Sequence, residues 1–533
     1  MLRAVIRKEF QFHLAGFPLR VGTLLALLLA ASSTLLVTRD YNLRLEAYRD
    51  RVAAHARALQ EETVYSYLQP VVVRPPEPLS VLDQGYDAQL GTDATINLFA
   101  VPAEATGGYR GNEFLVTSPA ADLTAIVAVV LGLLALLLAH DAVAVERDGQ
   151  ALSALLASGL PRHTLLAGKV LGGLLSLALP LGGALLVSLA IFVQQVDVEL
   201  SVRQWLRAAG LGAGYVLYLS LMFLLGVLIS LSSRKRSRVL ALAVVIWLAA
   251  VVVLPGAVRT LVADLGGARE ARLAAERRGA ELLAERDRRL EAELRRVPLR
   301  AVFNGDSAIS FASGENRAVR YRYGSAAYYD ALSAYYRTEV ALGMRYAETV
   351  FAEQRRAEEH LRAAERLGLM LGMISPAVLL DNLSEELAGT STAEYDRFLA
   401  ACRDYRLALI RYFEERNAFA SWRWFTDDRP DRLHPWPLFL GLTPDEARPE
   451  DVQRLFARLG DPEIAGRVSR EQAALAGDPA RRLPLADMPR FVPPGAGFLE
   501  CLRRGIPEAL GLLAFNLLAW AAVSARFRRW SPR

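Results

Sequence analysis

The sequence predicts an α-helical polytopic membrane protein with six transmembrane helices and a large, mainly helical extracytoplasmic domain. Three observations predict it. Six apolar runs each approach the roughly 20 residues needed to cross a hydrocarbon core. Although 53% of the 533 residues are hydrophobic, the 22% that are charged gather in blocks between those runs. Arginines and lysines beside the runs fall on one side if each run crosses once, as the positive-inside bias requires.

Residues 1–20 are expected to form a cytoplasmic amphipathic helix, with Leu2, Val5, Ile6 and Phe10 set against Arg3, Arg7, Lys8 and Glu9. The spans follow at 21–37, 123–139, within 170–258 (three crossings), and at 503–526. Thr38-Arg39-Asp40 after the first run lacks a small-x-small site, so that run reads as an uncleaved anchor. Pro180 falls inside the third span, where a kink is tolerated. Arg234, Lys235, Arg236 and Arg238 fill one tiny loop, and Arg526, Arg528, Arg529 and Arg533 follow the last span. Both termini, the tail 527–533 and the loop 140–169 are therefore expected in the cytoplasm of a cell (inner) membrane protein.

Two long segments remain outside. The first, 38–122, opens with a helical pattern at Tyr41–Tyr67 that can prolong span one, then turns at Arg74-Pro75-Pro76-Glu77-Pro78. The second, 259–502, begins with the Ala-, Arg-, Glu- and Leu-rich stretch Ala268–Val297, a solvated helix with a narrow leucine stripe suited to coiled-coil pairing. Ala326–Met373 reads as another long helix whose tyrosines, from Tyr328 to Tyr346, pack as core. Ser391-Thr-Ala-Glu394 and Thr443-Pro-Asp-Glu446 are capping boxes that start further helices. Cys402 and Cys501 both fall outside, where a disulfide and two separate buried thiols are equally open.

The loop between spans two and three carries a family resemblance. Asp141…Glu146-Arg147-Asp148-Gly149…Leu155-Leu156-Ala157-Ser158-Gly159…Pro161-Arg162…Gly168-Lys169 resembles the coupling-helix loop of ABC-2 type transporter permeases, with Gly149-Gln150 where the family usually has Gly-Thr. Arg7-Lys8-Glu9 before the first span is similar to the family's opening. Ile374-Ser375-Pro376-Ala377…Leu387-Ala388-Gly389-Thr390…Tyr395…Phe398, with Met488-Pro489-Arg490-Phe491, resembles members with a large outer domain, the DUF3526 group. Residues 415–485 carry less of the likeness.

The resemblance implies a six-span exporter-like permease with a short coupling helix pushed by an ATPase. The implied coupling interface is Glu146, Arg147, Asp148, Leu152, Leu155, Leu156 and Arg162. Implied partners are two copies of a separate ATP-binding subunit and a second permease chain, identical or related. Membrane lipid surrounds the spans, and a periplasmic partner could engage the outer domain.

No catalytic, cofactor or metal residues are assigned. Gly159…Gly168-Lys169-Val170 has the wrong spacing for a Walker A and no Ser or Thr for magnesium, so ATP hydrolysis is expected in another chain. Six scattered histidines show no metal-ligand spacing. A net charge of +5 gives no reason to expect nucleic acid. The middles of the runs hold no charge, which argues against ion-coupled transport; Asn516 there reads as a helix–helix hydrogen bond. Two functions stay open: a permease subunit for export or mechanotransmission, or a membrane-anchored scaffold that engages a periplasmic partner without moving cargo.

Overall fold

The computed structural model describes residues 2–107, 122–148, 161–195, 200–232, 236–265, 268–296, 309–313, 317–321, 326–425, 462, 470, 478–495 and 497–529. Helix α1 (Leu2–Ala15) is followed at Gly16 by α2 (Phe17–Glu61), with proline in its first turn. At 45 residues α2 is about 67 Å long, twice the hydrocarbon thickness. Its polar half Arg39–Glu61 therefore continues beyond the apolar half as one rod. The short antiparallel strands β1 (Val71–Val73) and β2 (Asp93–Thr95) pair Val71 with Thr95.

Helix α3 runs Leu123–Ile126, through a π-turn at Val127–Leu131, to Gly132–Asp148. Then come α4 (Arg162–Gln195), helical through Pro180, and α5 (Val202–Ser232). Helix α6 runs Arg236–Leu248, a π-turn Ala249–Val253, then Leu254–Leu265. Helices α7 (Ala268–Arg296) and α8 (Ala326–Gly372) pack against each other, and the ribbon β3 (Ile309–Ser313) and β4 (Arg317–Tyr321) lies between them in sequence. Helices α9 (Pro376–Ala388), α10 (Thr392–Glu415) and α11 (Phe498–Arg529) complete the described chain.

Six helices among the described residues are long and apolar enough to cross a membrane: Phe17–Glu61, Leu123–His140, Arg162–Gln195, Val202–Ser232, Ser237–Val258 and Phe498–Arg529. The predicted fold class is thus what the chain adopts. Helices α3 and α5 sit at the centre of the bundle, while α6 and α11 turn most of their surface outward.

A π-turn frees backbone carbonyls, and inside a membrane each needs a donor. Tyr218 Oη donates to Ala128 O at 3.0 Å and Trp247 Nε1 to Val129 O at 3.2 Å, covering the turn in α3. Ser375 Oγ donates to Ala250 O at 2.7 Å, covering the turn in α6. The two irregular turns are thereby interlocking points between helices.

Ser375 also begins α9, whose 13 residues are too few to cross a membrane. Within the stretch expected outside, α9 instead packs in the bundle core through Leu379, Leu380, Leu383 and Leu387. Gly505 and Gly511 of α11 admit Leu383 and Leu379 at distances that leave little room for a side chain.

A second core lies apart from the bundle. It gathers Leu68, Val72, Ala94, Ile96 and Leu98 with Val340, Phe398, Leu409, Phe413, Trp424 and Leu483. The two outer segments therefore share one core, and 259–502 is not self-contained. Arg406, fully buried, ties them together: Nε donates to Asn97 O at 3.0 Å, Nη2 to Leu98 O at 2.6 Å, and Nη1 pairs with Glu348 at 2.6 Å.

The leucine stripe of α7 finds its partner within the chain, since Leu282 is buried and Gly279 faces Val350 of α8. Tyr346 is buried and Tyr336 stacks on Phe425, while the Tyr328 and Tyr329 side chains lie outside the described residues. Ser391 does begin α10, but its hydroxyl makes no cap bond, and Glu394 pairs with Arg397 and Arg504 rather than turning back. The second capping box, at 443–446, lies outside the described residues. Cys402 and Cys501 are separate buried thiols, and burial pushes Cys402 up to about 12.

Candidate functional site

Of the predicted coupling residues, Glu146, Arg147, Asp148 and Arg162 fall among the described residues, at the two helix ends that flank the loop. The polar segment after His140 continues α3 by two more turns, and Glu146, Arg147 and Asp148 close that helix. Leu152, Leu155 and Leu156 lie outside the described residues. Arg162 opens α4 directly after Pro161, and its Nη1 donates to Arg528 O, in the last turn of α11, at 2.6 Å. That bond satisfies a carbonyl that the helix end would otherwise leave open. The return from the loop is thus clipped to the end of the last span.

Two turns further along α4, Lys169 Nζ pairs with Glu9 Oε1 at 2.8 Å, with 2% and 5% of the side chains exposed. A buried ammonium is tolerated only with a well-placed partner, and this one joins the N-terminal helix to α4. Glycines make the approach possible. A Cβ on Gly168 would lie 2.6 Å from Val5 Cγ1, and one on Gly172 would lie 2.6 Å from Glu9 Cβ. His13 of α1 meets Phe223 of α5 edge-on, and Gly173 leaves the space that the Phe223 ring fills.

The Arg7-Lys8-Glu9 and Gly168-Lys169 motifs are therefore two halves of one contact, about 160 positions apart in sequence. Sequence reading found each motif and missed the pairing. A lone lysine at the mouth of an apolar run was the available signal, because such a charge requires an acid nearby.

At the opposite end of the bundle, Arg207 of α5 holds the C-terminus of α9. Its Nε donates to Leu387 O at 2.7 Å, Nη2 donates to Ala388 O, and the guanidinium lies 3.3 Å from Glu77. Gly389 ends the helix at φ +74°, a left-handed conformation that glycine adopts without strain, with the Arg207 head where a side chain would stand. Thr390 Oγ1 donates to Asp83 Oδ2 at 3.2 Å, and Tyr86 N donates to Thr390 O at 2.9 Å. The Leu-Ala-Gly-Thr element is thus a clamp between the outer arm and the bundle.

Asp122 caps α3 there, accepting from Ala125 N at 2.8 Å and Gln84 N at 3.0 Å. Burial pushes its carboxyl up to about 7. Burial and the neighbouring Asp122 likewise hold Asp83 well above the usual carboxylate range. Both acids escaped the search for intramembrane charge, because Asp122 sits just before an apolar run and Asp83 lies far from any run in sequence. Inside the bundle, Asn516 makes the expected helix–helix bonds, accepting from Ser220 Oγ at 2.6 Å and donating to Leu217 O at 3.0 Å.

With this geometry in view, a family model described as ABC-2 family transporter protein matches residues 4–400, well over half of the chain. The match spans the loop 140–169, the Lys169–Glu9 contact and the clamp at Gly389. No curated protein matches the chain.

Proposed function

This chain is a member of the ABC-2 transporter family, and from that membership we propose that it is the permease subunit of an ATP-driven complex in the cell (inner) membrane. Two ATP-binding subunits and a second permease chain, identical or related, complete the assembly. The subgroup its outer elements resemble is the DUF3526-like one. Both termini and the loop 140–169 face the cytoplasm, and ATP is hydrolysed in the partner chains.

Closure of the ATP-binding subunits presses on the coupling segment that holds Leu152, Leu155 and Leu156. Glu146, Arg147, Asp148 and Arg162 fix its register. Charged pairs at such a surface set specificity, while the leucine ridge carries most of the affinity. The push reaches α3 at Asp148 and α4 at Arg162, the helix ends on either side of that segment. The observation that carries this reading is the buried Lys169–Glu9 pair, together with the Arg162–Arg528 bond. These contacts make α1, α4 and α11 move as one body when the loop moves. Helix α5, packed on α3, carries the motion to Arg207 and the clamp on α9.

Mechanotransmission to a periplasmic partner is favoured as the output over export by one feature. Helix α2 leaves the membrane and enters the outer part as a single 45-residue rod. Leu155→Asp and Glu146→Arg test the proposal. Both proteins should insert normally but lose co-purification with the ATP-binding subunit, because Leu155→Asp buries an unpaired carboxylate at a cost of several kcal/mol. Normal recovery of the complex with Leu155→Asp would show that the loop only rests at the lipid interface.

A further inference from the structure

Away from the bundle, a cleft of about 390 Å³ opens between α8 and α10, bounded at one end by Ala103 and Glu104. That volume lies at the lower end of the roughly 300–1,000 Å³ that small-ligand sites occupy. Helix α8 contributes Phe351 and Arg355, and α10 contributes Tyr395, Leu399 and Arg403.

Three carboxylates and three guanidiniums line the cleft, but they are unevenly paired. Its three carboxylates are already engaged: Asp396 and Glu358 lie 3.3 Å and 3.8 Å from Arg362, and Glu104 pairs at 3.1 Å with Arg272 of α7. Arg355 and Arg403 make no close salt bridge among the described residues, although Arg403 lies near enough to Glu358 to favour its charged form. Arg403 lies over the Phe351 ring, 5.3 Å from its centroid, and Nη1 donates to Pro102 O at 3.2 Å. Arg355 follows Phe351 by one turn on the same face of α8 and makes no ion pair among the described residues. Both guanidiniums line the cleft together with the Phe351 ring, and Leu399 and Tyr395 add carbon surface beside them.

We propose that this cleft binds an organic carboxylate with an apolar or aromatic body, the carboxylate held between Arg355 and Arg403. The guanidinium fork matches a carboxylate in two parallel hydrogen bonds, which ammonium groups do not supply. Leu399 and Tyr395 take the body, and the engaged acids around the rim disfavour ligands of higher negative charge. The C-terminus of a polypeptide and a free amphiphilic acid both present this chemistry.

The test is calorimetric titration of the full-length protein in nanodiscs. Probes are N-acetyl-phenylalanine, its amide, an N-acetylated tripeptide ending in phenylalanine, 4-phenylbutyrate and inorganic phosphate. The acids should bind, and the amide should bind about tenfold more weakly or not at all, as expected when a hydrogen bond to a charged group is lost. Arg355→Gln and Arg403→Gln should each weaken the acids about tenfold. A tighter tripeptide identifies a chain end as the source, and equal affinity for phenylbutyrate identifies a free acid. Equal binding of the amide, competition by phosphate as strong as that of the acids, or no effect of Arg355→Gln would overturn the assignment. Should Arg403→Gln misfold, exposed Arg355 and the amide comparison still decide it.

Discussion

Where α4 meets α1 and α5, the contact surface is made of Gly168, Gly172 and Gly173. In the outer core, by contrast, the Phe413 ring touches those of Tyr65, Tyr412, Phe419 and Trp424, all at centroid distances under 6 Å. The contrast follows from the solvent. Between helices in lipid no hydrophobic gain accompanies association, so backbones approach through small residues and interhelical hydrogen bonds. In water the large rings supply most of the burial. Buried polar groups do not follow this division: the bundle buries the Lys169–Glu9 pair at its base and Arg207 on the Leu387 and Ala388 carbonyls at its other end, and the second core buries Arg406 on the Asn97 and Leu98 carbonyls.

The largest expected effect that tests this division is Trp424→Ala. Trp424 is 1% exposed, and its truncation should cost roughly 3–5 kcal/mol. Hydrogen exchange should quicken across 65–105 and 398–425 and stay unchanged in α4 and α5. Equal loosening of the bundle would mean that the two cores are one cooperative unit.

The junction between the regions responds to pH. The folded carboxyl of Asp122, at about 7, holds its proton more tightly than an unfolded one near 3.8. This contribution to stability is therefore complete below pH 3.8 and lost as pH rises through about 7. Melting of the 78–90 arm should fall between pH 5 and pH 8, and Asp83→Asn should flatten the slope by removing the second buried acid, whose carboxyl is also held above the usual range. A profile that rises with pH, or is unchanged in the variant, refutes the shared burial of these acids.

Smaller effects probe the bundle. Gly173→Val would overlap the Phe223 ring and should cost roughly 1–3 kcal/mol. Adding Phe223→Ala should recover part of the loss in detergent melts, and no recovery would place the clash elsewhere. Tyr218→Phe removes the donor to Ala128 O and should cost about 1 kcal/mol, in the range of measured membrane hydrogen bonds. A neutral result would mean that the carbonyl finds another donor.

The six crossings were legible because about twenty apolar residues in a row have few other uses. Helix α9 was not, since a 13-residue amphipathic helix opened by Ser375-Pro376 looks the same in a soluble domain as in a bundle. The shared outer core was equally hidden: Asn97 and Leu98 meet Arg406 across about 300 positions, and no local pattern signals such a contact. At the base, both motifs of the Lys169–Glu9 contact were visible as family elements. What joined them is a requirement of burial that only the packed structure makes explicit. Of the predicted coupling residues, Arg162 gained a partner that sequence could not supply, the carbonyl of Arg528.

We propose that a push on the loop 140–169 crosses the bundle because Lys169 and Glu9 lock α4 to α1. Both native cysteines are buried, so a fluorophore on an Ala280→Cys protein reports selectively from exposed α7. In proteoliposomes with the ATP-binding subunit, ATP should change its signal. The Lys169→Met protein should still bind the ATP-binding subunit yet lose that response, and Glu9→Lys combined with Lys169→Glu should restore part of it. A full ATP response in Lys169→Met would contradict the account.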